Sequence, residues 1–179
     1  NVFYNTIVSR FKRPNKLRII PNFVDTDVYK PEKEYDGFLD KTNNIQKGIK
    51  VMYAGNIGHA QDWNTLIEVA KEMRDCPIIF FIIGEGAKKE ELLKEIELNN
   101  LKNIKVFPYQ KRELMSRINA FADIHIIFME TSVASQGFPS KVYSILACGK
   151  PIIVSSTLNS PLISFLNEIN VGFLVTEEN

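Results

Sequence analysis

From Pro77 to Ile83 the chain reads Pro-Ile-Ile-Phe-Phe-Ile-Ile without one polar residue, and Gly84-Glu85-Gly86 closes the run. It is too short for a core helix and lacks polar alternation, so it reads as a strand covered on both faces. Such a strand needs a sheet held between two helical layers, and the neighbouring sequence supplies the parts. Ile49 to Ala54 is a second strand closed by Gly55-Asn56-Ile57-Gly58, after which Trp63, Leu66, Ile67 and Ala70 recur at helical spacing to about Arg74. Ala87 to Leu98 is a charged helix stopped by Asn99 and Asn100. A parallel return between neighbouring strands requires a crossover helix, so this alternation predicts an α/β fold: a Rossmann-like, doubly wound parallel sheet with helices on both faces.

The rest of the chain continues the pattern. Ile104 to Phe107 is a short strand, Pro108-Tyr109 a turn, Gln110 to Phe121 a helix with Leu114, Ile118 and Phe121 inward, and Asp123 to Met129 a strand. Pro151 to Val154, a helix from Pro161 to Asn167 and a strand from Val171 to Val175 complete the series. Upstream, residues 1–16 are polar, basic and weakly periodic and read as a connector, Leu17 to Pro21 as a first strand, and the stretch to about Lys47 as a turn-rich segment and a charged loop.

Gln136 to Val154 carries the most chemistry. Pro139 suits a first helical turn, Gly149 a C-terminal cap, and Pro151 prevents resumption, so a helix is expected from about Pro139 to Cys148. Val142, Ile145 and Leu146 form its buried face and leave Lys141, Ser144 and Cys148 on a flank of their own. Ser140 and Lys141 lie in the first turn, where unpaired N–H groups and the helix dipole favour an anion, and Gly137 allows close approach to the backbone. The Gly55, Asn56, Ile57, Gly58 turn offers the same kind of N–H cradle, and His59 just beyond it can donate to a phosphate. In a doubly wound sheet ligands bind outside the carboxyl ends of the strands, where all these turns fall. Glu85 between two glycines is either near that ligand or a solvated turn residue; His125, inside a strand, reads as a core histidine; Glu130 is unassigned.

With 179 residues, 45% of them apolar, the chain suffices for one domain with a sizeable core. A net charge of +1 argues against a general nucleic-acid surface, and no apolar run approaches the roughly 18 residues of a membrane span. Cys76 and Cys148 have no metal-ligand spacing and read as reduced core thiols. No acidic cluster follows the first strand, which removes a response-regulator reading.

The run PSKVYSILACGKPIIVSS from Pro139 to Ser156 resembles the donor-binding segment of glycosyltransferase family 4, whose members have the two-domain GT-B fold. The resemblance extends to IPNFVDTDVYKP (Ile20 to Pro31), VMYAGNIG (Val51 to Gly58) and FFIIGEG (Phe80 to Gly86), in the family's order. It implies that residues 17–179 are the C-terminal, nucleotide-sugar-binding domain, truncated at its C-terminus, with residues 1–16 leading from a missing N-terminal domain. Family members commonly place an Arg and a Lys on the donor diphosphate where this chain has Asn56 and Gln61, and carboxylates on the donor sugar and ribose where it has Gln136 and Ser144. The resemblance therefore implies a variant site. Gly55 to His59 with Ser140 and Lys141 would hold the diphosphate, Gln136, Gly137 and Phe138 the sugar, and Glu85, Pro108, Tyr109 and Ser144 the nucleoside.

The activity so implied is retaining transfer of a sugar from a nucleoside-diphosphate donor, most simply UDP-linked, to an acceptor sugar or lipid-linked saccharide bound by the missing domain. It implies no cofactor and no metal, a role in bacterial surface-polysaccharide synthesis, and a cytoplasmic location, with attachment at the inner face of the plasma membrane left open. This fragment alone would bind donor weakly and catalyse nothing. A sugar-nucleotide epimerase of similar architecture, which would need carboxylates in the cleft, and a non-catalytic partner module remain the alternatives.

Overall fold

The computed structural model describes residues 2–11, 14–20, 22–31, 48–135 and 137–176. Among these, the strands are β1 (Ile49–Ala54), β2 (Ile78–Ile83), β3 (Ile104–Phe107), β4 (Ile124–Phe128), β5 (Ile152–Ser155) and β6 (Phe173–Val175). The helices are α1 (Val2–Arg10), α2 (Trp63–Glu72), α3 (Lys89–Leu98), α4 (Met115–Phe121), α5 (Thr131–Ala134), α6 (Lys141–Ala147) and α7 (Pro161–Glu168). The strands form one parallel sheet in the order β3-β2-β1-β4-β5-β6, which is the expected doubly wound fold.

Period-two alternation decides which helices cover which face. Val51, Tyr53, Phe80, Ile82 and Phe128 pack with Trp63, Leu66, Ile67 and Leu92 of α2 and α3, while Met52, Phe81 and Ile83 pack with Ile118 and Phe121 of α4. Ile127, Ile152 and Val154 are covered by Val142 and Ile145 of α6 and by Leu162, Ile163 and Leu166 of α7. Right-handed crossovers give this division, because the path turns back between β3 and β4. Beside α2, the first face keeps an apolar groove of about 290 Å³ lined in part by Ile124, Ile126, Ile153 and Val175. The reversal also leaves a crevice at the ends of β1 and β4, where neighbouring connections diverge to opposite faces.

Several boundaries and assignments differ from the sequence reading. Residues 2–10, expected to be connector, form α1; no Gly or Pro interrupts that stretch, and polarity was a poor guide to the backbone. Leu17 to Ile20 is not a strand: the sheet's edges are β3 and β6, and Ile20 is 83% exposed. Pro21 lies outside the described residues. Cys76 is exposed rather than a core thiol, since it precedes β2 in the turn leaving α2. Cys148 is buried, as read, and its thiol reaches the Ser116 carbonyl at 3.9 Å. The helix expected from Pro139 is regular only from Lys141; its entry is a tighter turn, in which the Pro139 carbonyl accepts from Val142 N at 3.2 Å. The stop is as read, with Gly149 at φ 68°.

His125 is the core histidine the strand pattern predicts. It pairs in register with Met52 and Ile152, and its Nε2–H donates to the Asn119 carbonyl at 3.1 Å. Burial lowers its pKa to about 4, so it stays neutral at physiological pH.

Candidate functional site

Residues following β1 and β2 meet at a contact too close for any side chain. A Cβ on Gly84 would run into the Gly55 carbonyl oxygen, and two hydrogen bonds brace the approach: Gly55 N to Ile83 O at 2.9 Å and Ile57 N to Glu85 O at 2.7 Å. The turn is also clamped from beneath. Tyr53 donates its hydroxyl to Asn56 O at 2.7 Å, Trp63 Nε1 donates to Gly58 O at 2.8 Å, and Gly58 N donates to Gln61 Oε1 at 3.2 Å. Gln61, one of the two positions that depart from the family's cations, therefore caps the turn. Removing the indole donor by Trp63→Phe leaves the Gly58 carbonyl unsatisfied and is expected to cost about 1–2 kcal/mol of stability, read as a lower urea midpoint at unchanged slope.

These bonds consume much of the expected phosphate cradle. The amides of Gly55, Ile57 and Gly58 are all engaged, and the Ile57 side chain is fully buried in the core. Among the described residues, the Asn56 and His59 amides have no protein acceptor. The turn thus offers two N–H groups rather than a ring of them.

A cation approaches this turn from the other side of the crevice. Lys141, the first residue of α6, places Nζ 3.7 Å from the centroid of the Tyr53 ring, and a Cβ added to Gly55 would lie 2.6 Å from that nitrogen. Among the described residues no carboxylate lies within ion-pair distance of Lys141. Burial of the ammonium lowers its pKa to about 7. Burial also pushes the Tyr53 phenol up, with the Tyr109 phenol adding to the shift, so Tyr53 stays protonated. An unpaired cation held at a topological switch point can take an anion without first breaking a salt bridge.

Lys141 opens onto a cleft of about 700 Å³ that Ser140 and Ser144 also line. Ser140 is exposed, and Ser144 donates its hydroxyl to Lys141 O at 2.9 Å, which leaves the oxygen lone pairs to accept. The opposite wall was not foreseen. Arg112 and Glu113, in the 3-10 turn before α4, line it together with Asn22, Phe23, Asp25 and Tyr29. That segment is a turn built on Asp25, whose carboxylate accepts from Asp27 N at 2.9 Å and Val28 N at 3.3 Å. Its signal lay in the IPNFVDTDVYKP match, which reads as a turn-rich segment and not as a wall of the cleft.

The other expected site residues are dispersed. His59 lines a separate groove of about 200 Å³ with Gln61, Lys88, Glu91, Glu95 and Glu130. Glu85, in the turn after β2, pairs with Lys89, the first residue of α3, at 2.7 Å. Pro108 accepts from Gln110 Nε2 at 2.9 Å, and Tyr109 is 56% exposed, free to serve as a stacking surface. Gly137 packs against α5, its missing Cβ 3.1 Å from Val133 O, so its need for glycine is met by the protein's own backbone. Phe138 stacks on Tyr143 at 5.7 Å and meets Phe165 edge-on at 5.4 Å, anchoring the start of α6. Gln136 lies outside the described residues.

Residues 36–179 match the family model described as glycosyl transferases group 1. The putative colanic acid biosynthesis glycosyl transferase WcaI of Escherichia coli K12 is 33% identical over 106 residues, 59% of this chain and 26% of its own length. The probable glycosyltransferase WbjE of Pseudomonas aeruginosa is 23% identical over 164 residues, 89% of this chain and 40% of its own. HepE of Anabaena, solved in complex with UDP and glucose, superposes with a TM-score of 0.75 at 18% identity over 97% of this chain and 47% of that one. The chain thus spans less than half the length of each of these relatives. Matched over most of its length and folded as the Rossmann-like half of a GT-B architecture, the chain belongs to the glycosyl transferases group 1 family.

Proposed function

We propose that this chain is the donor-binding half of a retaining glycosyltransferase that moves a sugar from a nucleoside-diphosphate donor, most simply a UDP-sugar, onto a saccharide acceptor in surface-polysaccharide synthesis. One observation carries the reading: the unpaired Lys141 ammonium poised between the Gly55 turn and the large cleft. A donor lying there has its diphosphate against Lys141 and the free Asn56 and His59 amides. As the bond from sugar to diphosphate breaks, negative charge grows on the leaving phosphate, and a cation already in place stabilises that charge without reorganising. Lys141 is the neutralising group in this scheme, and no metal ion is invoked.

The relatives support the class of donor. WcaI is named for colanic acid biosynthesis and HepE was solved with UDP. The acceptor would be bound by a domain outside this chain, across the cleft from Ser140 and Lys141. Among the described residues no helix is long and apolar enough to cross a membrane. We place the reaction on the cytoplasmic side, where nucleotide sugars are available to a surface-polysaccharide enzyme. An epimerase reading gains Asp25 and Glu113 as cleft carboxylates, but Asp25 is engaged by the Asp27 and Val28 amides, and Ser144 stands where the resemblance puts a carboxylate.

The test is a titration of the chain with UDP, GDP and ADP followed by amide NMR. Saturable shifts at Asn56, His59 and Ser140 to Ser144 are expected, strongest for UDP and weakened by Lys141→Ala. Shifts confined to the His59 and Glu130 groove, or none at millimolar nucleotide, would overturn the assignment of this cleft.

A further inference from the structure

We infer that Tyr53 is the positioning residue for Lys141: its ring face holds the lysine ammonium at the mouth of the cleft while its hydroxyl fixes the glycine turn against which that ammonium rests. The inference rests on the donor-site reading of Lys141 and deepens it. It starts from the register of β1. Alternation turns Tyr53 to the face covered by α2, where it meets Trp63 edge-on at 5.1 Å and Phe128 at 5.1 Å, so its ring cannot rotate away. Its hydroxyl is tied to Asn56 O at 2.7 Å, which fixes the ring's outer end as well. Lys141 then sits 3.7 Å from the ring centroid, within the range where an aromatic quadrupole attracts a cation.

A lysine has a flexible four-carbon stem and ordinarily spreads its charge over many rotamers. Here the stem starts on α6 and the charge ends beside the turn after β1, so something must select that one reach. The described residues provide no carboxylate to do so. The missing side chain of Gly55 leaves room for the ammonium, and the ring beneath supplies the attraction. A carboxylate in the same place would also have fixed the lysine, but would have neutralised it and competed with a diphosphate. An aromatic face holds the cation and leaves its charge available. The lowered pKa, about 7, is consistent with a charge withdrawn from water without an anionic partner.

Two measurements on the 179-residue chain test this. The first needs no substitution: in a carbon–proton correlation spectrum, the Lys141 ε-methylene protons, assigned by their loss in Lys141→Arg, are expected upfield of the other lysines through the Tyr53 ring current. A random-coil position overturns the proposal. The second compares binding of inorganic pyrophosphate and of UDP to Tyr53→Phe, Tyr53→Leu and Lys141→Ala, with folding checked by circular dichroism. Tyr53→Phe keeps the ring face but releases the Asn56 carbonyl, and is expected to weaken both ligands by up to about 3-fold. Tyr53→Leu should weaken them further, roughly 3- to 30-fold, the span of a cation–π contact. A folded Tyr53→Leu that binds like the parent while Lys141→Ala binds poorly overturns the positioning role and leaves the donor site standing. Lys141→Ala binding like the parent instead overturns the donor reading itself. Should Tyr53→Leu not fold, the ring-current shift alone decides.

Discussion

Replacing Lys141 by Met is expected to weaken UDP binding about 10- to 100-fold, as loss of a charge-assisted hydrogen bond does, and at the same time to raise the melting temperature of the chain. The two effects share one cause. The ammonium is withdrawn from water, has no carboxylate partner among the described residues, and is held chiefly by the Tyr53 ring. That arrangement costs folding free energy and is recovered only when an anion arrives. Met keeps the apolar stem and removes the charge.

The pH dependence follows from the same residue. Its pKa falls from the ordinary 10.5 to about 7 on folding, so between those values the unfolded chain binds more protons and stability rises with pH. Below about 7 both states are protonated and the cost of burying the charge is fully present. The stabilisation by Lys141→Met should therefore be largest near pH 6 and fade toward pH 10.5. Binding runs the other way: the diphosphate needs the protonated amine, so above pH 7 affinity should decline by up to about tenfold per pH unit, with proton uptake visible as a buffer-dependent binding enthalpy. A Lys141→Met chain whose affinity and pH profile match the parent's would remove Lys141 from the site.

What the sequence made legible, and what it hid, divides along a physical line. The strand at Ile78 to Ile83, the Gly149 stop and the buried face of α6 are written in neighbouring residues, because a period of 2 or 3.6 is a local property. Lys141 was found because it sits beside a helix start, also a local signal. Tyr53 was missed because, from the chain alone, it is one more large residue alternating in a strand. Its role exists only once the fold brings the Lys141 side chain from α6 to its ring face. Arg112, Glu113 and the Asp25 turn were missed for the same reason, since they join Lys141 only across the cleft. Reading the Gly55 turn as a ring of free amides overlooked that β2's turn would claim them first, through Glu85 O and the Gly84 contact.

Gly84→Ala is the substitution expected to damage the chain most for the fewest atoms added. Its new methyl would meet the carbonyl oxygen of Gly55, which is backbone and cannot rotate aside. To make room, the ends of β1 and β2 must part, and that movement strains Gly55 N to Ile83 O at 2.9 Å and Gly84 N to Phe107 O at 2.9 Å together. Overpacking alone costs about 1–3 kcal/mol, and a weakened ladder bond adds to it, so a loss of about 3 kcal/mol is expected from urea unfolding. Gly58→Ala is the control. A methyl there would meet the side-chain amide of Asn56, with Gln61 Oε1 at 3.8 Å, and both side chains can swing away, so a cost below about 1 kcal/mol is expected. Because the Gly55 carbonyl and the Lys141 ammonium rest on opposite sides of one turn, Gly84→Ala should also shift the Lys141 ε-methylene resonance, whereas Gly58→Ala should leave it in place. Equal stability losses at the two glycines would mean that the β1 turn yields freely, and that its close contact with β2 does not set the position of the cation.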